Sequence, residues 1–140
     1  KIGEDLSAVG KATSALIQQG RETSLQVYQQ AITFMQQCRR QRDDYFPDSD
    51  VILSLAAPSV APQGLSSTGD ASFCAPWSFL GLPAITLPGG ISAQRLPIGL
   101  QLIGHSMKES DLISIACWFE SRLPRIRAPL NGGGSSSVKS

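Results

Sequence analysis

Cysteine is scarce in this 140-residue chain, and what there is fits no framework. Cys38, Cys74 and Cys117 are odd in number, too few for a disulfide scaffold and wrongly spaced for zinc. They read as reduced thiols of an intracellular, cytoplasmic protein, mostly packed as small apolar groups. Histidine occurs once, as His105. A Cys–His centre would still need an orienting partner and a positioned oxyanion hole. Charge is sparse and balanced, 12 basic against 11 acidic side chains for a formal net charge of +1. That balance gives no reason to expect nucleic acid or an anionic membrane as partner. No apolar run approaches the ~20 residues needed to cross a bilayer. The opening KIGEDLSAVG lacks the apolar stretch of a signal peptide. No metal and no cofactor is expected.

What is present suits a folded domain. Hydrophobic residues make up 41% of the chain, too many for a disordered one. A chain of this size buries roughly 68–70% of its unfolded surface. The length fits one ordinary domain, or a large piece of a bigger one. The first residue is Lys1 rather than Met, so upstream sequence is expected.

Helical periodicity is strong at both ends. A first helix is predicted over residues 4–19, with Leu6, Val9, Leu16 and Ile17 on one face and Gly20 ending it. Thr23 and Gln26 then read as a capping box. Behind it, Val27, Ala31, Phe34, Met35 and Cys38 form a stripe wide enough to bury. Arg39, Arg40 and Arg42 suit the negative end of that helix dipole, with Asp43 and Asp44 offsetting their field. Near the other end, Ser106 and Glu109 form an S-x-x-E capping box. Leu112, Ile115, Ala116, Phe119 and Leu123 line one side of the helix that follows, and Pro124 stops it.

The middle reads as strands and loop. VILSLAA, from Val51 to Ala57, is the near-continuous apolar run of a strand covered on both faces. From Pro58 to Leu82 the chain is rich in Pro, Gly and Ser, a loop long enough to be functional. Strands follow from Ala84 to Pro88 and from Pro97 to Gly104, separated by a Gly89-Gly90 turn and a polar link through Arg95. The sum is an α/β arrangement. The last twelve residues, PLNGGGSSSVKS, read as a disordered Gly/Ser-rich tail over 129–140. Residues 1–128 would form the domain.

Several short motifs then line up in order. Gly20, Ser24 and Tyr28 follow a G-x-x-x-S-x-x-x-Y pattern. Thr68-Gly69-Asp70, Phe73 and Trp77 form a TGD-x-x-F-x-x-x-W loop. Gly81, Pro83 and Pro88 form G-x-P-x-x-x-x-P, and LPIGLQLIG closes the series. Over residues 4–124 the sequence resembles the C-terminal part of amidase-signature enzymes. The resemblance implies part of an α/β/α sandwich around a mixed sheet. It also implies hydrolysis or transfer at a carboxamide carbonyl: a serine attacks, a second serine relays the proton, and a lysine is the base. A neutral buried lysine can take a proton at pH 7 and free the serine to attack, while backbone N–H groups hold the oxyanion.

None of these three catalytic residues can be matched here, so no catalytic residue is assigned. Lys1, Lys11, Lys108 and Lys139 all lack the apolar strand setting of the family's base. The terminal GGGSSS trails off the end, where the family's Gly/Ser stretch should lie mid-chain. The resemblance places Asp70, Phe73 and Trp77 at the substrate mouth. Asp70 would recognise a cationic or amide-bearing substrate, although an Asx turn or helix cap is the stronger reading of the residue alone. Phe73 and Trp77 would line an acyl pocket or belong to the core. Gly81 and Pro83 serve backbone geometry. Gln101 reads as a partner for neighbouring backbone groups, and His105 as a surface loop residue. Two function classes result. One is the C-terminal segment of an amidase completed by upstream residues. The other is an inactive amidase-like scaffold that acts by association, with the missing segment or another copy of itself.

Overall fold

A computed structural model describes residues 9–126. They fall into two compact units, divided between Arg40 and Gln41. The expected onset of the first helix at residue 4, the Leu6 position and the 129–140 tail lie outside the described residues.

The first unit is a pair of helices, α1 (Lys11–Glu22) and α2 (Leu25–Arg40). Gly20 does not end α1 but lies inside it; Thr23 ends it. The Thr23 backbone N–H donates to the carbonyl of Gln19 at 3.1 Å, and its hydroxyl donates to the same oxygen at 2.9 Å. Two donors on one late carbonyl close a helix without glycine. Thr23 is therefore spent, and the cap of α2 falls to the next residue. Ser24 Oγ accepts the backbone N–H of Val27 at 3.3 Å, the ordinary bond from an N-cap to the third helical residue. The expected Thr23–Gln26 box does not form. Neither helix fully buries a residue: along the α2 stripe Met35 and Cys38 are half-buried while Val27 and Ala31 are exposed, short of the expectation that the stripe would be buried.

The second unit is a three-stranded sheet with helices. β1 (Val51–Leu55), β2 (Ala84–Ile91) and β3 (Pro97–Gly104) lie in the order β1-β3-β2. Both outer strands pair antiparallel to β3. Two antiparallel neighbours on a common centre make β1 and β2 run the same way without touching. The reason lies in the link from β2 to β3, which is too short for a parallel crossover. It turns at Ser92–Leu96: the Ser92 N–H donates to Leu96 O at 2.8 Å, the Leu96 N–H to Ser92 Oγ at 3.2 Å, and Arg95 takes a left-handed φ of 63°. Gly89-Gly90 is thus no turn. It lies within β2, where the register shifts between Pro88 and Gly90, as expected where proline cannot donate to a ladder.

One sheet face carries Val51, Leu53 and Leu55, then Leu100 and Leu102, then Ile85 and Leu87, as their register requires. The helix that packs on it, Glu109–Glu120, is the last among the described residues and is numbered α4. Leu87, Leu102, Leu112 and Ala116 form the buried cluster, with Val51, Ile85, Ile115, Phe119 and Leu123 against its rim. The periodicity of α4 is therefore borne out, but its start is not. Met107 adopts a left-handed φ of 61°, and Lys108 takes the cap position without a side-chain cap bond. Ser106 lies on the wrong side of that kink to cap anything. Glu109 and Asp111 in the first turn suit the dipole. The expectation that β1 is covered on both faces fails: Leu53 is 52% and Leu55 42% exposed. Among the described residues, no helix is long and apolar enough to cross a membrane.

Candidate functional site

The long middle segment is not wholly loop. Ala75–Leu80 forms a short helix, α3, with proline in its first turn and Gly81 behind it at φ 70°. Proline at the start loses no helical bond, and glycine at the end takes the left-handed turn without strain. The Leu82 N–H donates to Trp77 O at 3.0 Å, which redirects the chain toward β2. Gly81 thus has the backbone role expected of it.

Asp70 stands in front of this helix, after Gly69 at φ 97°. Its Oδ1 accepts the Ser72 backbone N–H at 2.7 Å. This is an Asx turn, and it leaves the other carboxylate oxygen uncommitted to that turn. The helix cap is Cys74 instead, with no side-chain cap bond. Asp70 also lines a cavity of about 240 Å³, together with Ala56, Ser59, Ala61, Thr68 and Gly99. Its walls are mostly small side chains, and Gly99 is the tightest of them. A Cβ there would come within 2.9 Å of both Ala56 Cβ and Thr86 Cγ2. The close approach of the segment after β1 to the sheet therefore requires glycine at that position.

Phe73 and Trp77 are not brought to this cavity. Phe73 is exposed, and Trp77 is half-buried with its indole Nε1 inaccessible and without a hydrogen-bond partner. Sequence reasoning found Asp70 and missed Ala56, Ala61 and Gly99. Small apolar residues carry no chemical signature: the ladder bonds Ala56 to Gly99, and the loop after β1 brings Ala61 to the same cavity.

Two other expectations change. Gln101 does not satisfy neighbouring backbone groups through its side-chain oxygen: it is 5% exposed and its Oε1 has no partner. A buried acceptor left unmade costs about 1–3 kcal/mol. Gln101→Met keeps the volume and removes the orphan, so it is expected to be neutral or stabilising by about 1 kcal/mol. Urea denaturation checks this, and a loss beyond about 1 kcal/mol would show that Gln101 makes an essential bond. His105 is no free surface residue: its ring stacks on Phe46 at 4.2 Å, and its Nε2 lies 3.0 Å from Ser49 O. Cys38 is half-buried, whereas Cys74 and Cys117 are exposed, so most of the thiols are not packed as expected. Among the described residues no cluster of His, Cys, Asp or Glu could hold a metal.

A helix-backed sheet with this crossover and loop defines an α/β fold found in solved proteins. A structure described as "Crystal structure of amidase" matches 86% of this chain and 30% of its own, at TM-score 0.74 and 22% identity. The family model Amidase matches residues 6–113. The chain belongs to the amidase family. A glutamyl-tRNA(Gln) amidotransferase subunit from Agathobacter rectalis is 42% identical over 85 residues, 56% of this chain and 17% of that protein. Its namesake from Wolinella succinogenes is 39% identical over 89 residues, 59% and 20% of the two chains. The chain thus spans no more than a fifth of the length of either relative.

Proposed function

We propose that these residues are the C-terminal segment of an amidase, a carboxamide C–N hydrolase whose Ser/Ser/Lys machinery lies outside this chain. The observation that carries the reading is chemical. A serine nucleophile needs a base within about 2.6–3.2 Å, and the serine in the Asp70 cavity has none. Ser59 Oγ donates to Val60 O at 3.2 Å. A base lysine must be desolvated to be neutral at pH 7, yet Lys108 is exposed and lies 4.0 Å from Asp111. Lys11 is exposed on α1.

In this reading the chain supplies substrate contacts and not the reacting atoms. Asp70 offers its second oxygen to an amide or ammonium group at the cavity mouth. Phe73 and Trp77, which lie outside that cavity, supply apolar wall for the acyl part from beside α3. The matched span of a fifth or less of the relatives' length supports the division of labour.

The purified chain is therefore expected to release no ammonia above blank from short aliphatic or aromatic amides. Turnover that survives a Cys74→Ala/Cys117→Ala double change and disappears with a serine substitution in this chain would overturn the proposal. The second reading is an inactive amidase-like protein that acts by association, with the absent segment or with another copy. The exposure of Leu53 and Leu55 on β1 favours it.

A further inference from the structure

The cavity beside Asp70 has a one-sided chemistry. Its polar side chains are the Asp70 carboxylate and the hydroxyls of Ser59 and Thr68. Among the described residues no lysine, arginine, histidine, asparagine or glutamine lines it. Its one charged side chain is therefore acidic, and a bound anion would meet repulsion with no counter-charge. Much of the remaining wall is aliphatic, with Val60, Pro62 and Ile98 in it.

Several donors around it are already used. The Ser59 hydroxyl donates to Val60 O at 3.2 Å, and the Gly69 N–H donates to Ser67 Oγ at 3.1 Å. The Ser72 N–H donates to Asp70 Oδ1 at 2.7 Å, and the Cys74 and Ala75 N–H groups donate to Ala71 O at 3.0 and 2.8 Å. Pro62 and Pro97 have no N–H to offer. The Asx turn holds the Asp70 carboxylate by one oxygen and leaves the other uncommitted to that turn. Ser59 Oγ, its proton spent, still has lone pairs. Of the polar side chains in the cavity, only Thr68 keeps a proton to donate.

A primary ammonium group carries three donors and no acceptor, which is the complement of that set. A carboxamide end would bring a carbonyl in need of a donor, and a carboxylate end would need a cation. We propose that the Asp70 cavity binds a primary ammonium group on a short aliphatic stem. The amides served by the reading above are then ones that also carry such a group. Asp70 Oδ2 takes one N–H, with Ser59 Oγ and Thr68 Oγ1 as the neutral acceptors beside it. The volume of about 240 Å³ is roughly eight times the share of one water in the liquid. That admits a stem of a few carbons.

The proposal rests on the reading that Asp70 meets the substrate, and its test involves no turnover. Backbone amide NMR of the chain is followed as n-propylammonium chloride, propionamide or sodium propionate is added at constant ionic strength. Propylammonium should shift the Gly69, Asp70, Ser72 and Gly99 signals saturably, in the millimolar range. It should bind about 10-fold more tightly than propionamide, and propionate should shift none of these signals. Asp70→Asn keeps an acceptor for the Ser72 N–H and removes the charge. Its circular dichroism should match wild type, while its propylammonium affinity falls about 10-fold. Thr68→Val removes a neutral acceptor and should weaken binding by about 3-fold. Propionamide binding as tightly as propylammonium would overturn the proposal, as would an affinity that Asp70→Asn leaves unmoved. Shifts of equal size beside the exposed carboxylates Asp48 and Asp111 would also overturn it, since they would mean unselective ion pairing. Propylammonium binding in a chain that also releases ammonia from amides would sink the segment reading and keep this one. No binding in a chain without turnover would sink this one alone.

Discussion

Leu102→Ala is expected to remove about 3–5 kcal/mol from the stability of the sheet unit. Leu102 is 0% exposed. It sits on the central strand, between Leu53 on one side and Ile85 on the other, under Leu112 and Ala116 of α4. A strand held by hydrogen bonds on both edges cannot sink into the space that a lost isobutyl group leaves. The cost is therefore the lost transfer energy plus most of the cavity term. Domains of this size hold about 5–15 kcal/mol in all, so the variant should unfold at low denaturant or on modest warming. Urea titration followed by tryptophan fluorescence measures the change. Ile113→Ala on the exposed side of α4 is the control, expected to cost under about 1 kcal/mol. Equal costs at the two positions would mean that α4 packs on the sheet through a different face.

This core is legible in the sequence because it is written in periodicity. The alternation of Ile98, Leu100 and Leu102 and the spacing of Leu112, Ala116 and Phe119 each point to one buried face. Capping residues are harder to read where two candidates stand side by side. Thr23 and Ser24 are chemically equivalent caps, and only the closing bonds to Gln19 show which of them α1 has already used. Ser106 fails as a cap because Met107 takes a left-handed turn that no side chain of its type announces. Helix α3 escapes a periodicity search although proline and glycine bracket it, since six residues are too few to show a period. Of the candidate site, Asp70 carries a chemical signal and the small residues around it carry none. The uncovered flank of β1 is equally silent. An apolar run looks the same whether both of its faces are buried or one is left open.

The contact least visible from sequence is the one joining Phe46 to His105, and it should be among the most costly to break. Phe46 is 4% exposed in the segment between α2 and β1, and its ring centroid lies 4.2 Å from that of His105 at the end of β3. Ser49 completes the tie: its carbonyl lies 3.0 Å from His105 Nε2, and its N–H donates to Phe46 O at 3.3 Å. A carbonyl only accepts, so Nε2 carries the proton in this bond. Asp48 between them holds a left-handed φ of 58°, a conformation with its own cost that the surrounding contacts must exceed. Phe46→Ala removes a buried ring and frees one face of the imidazole, so about 3–5 kcal/mol should be lost. His105→Ala forfeits one hydrogen bond and one stacked face at a half-exposed site, and about 1–2 kcal/mol is expected. His105→Gln can still donate to Ser49 and should recover part of that. Urea melts give the energies, and limited trypsin cleavage after Arg42 reports the local opening, which should come earlier in Phe46→Ala than in wild type. If Phe46→Ala costs no more than His105→Ala, the ring is not the anchor. The strap before β1 is then held by the Ser49 carbonyl alone.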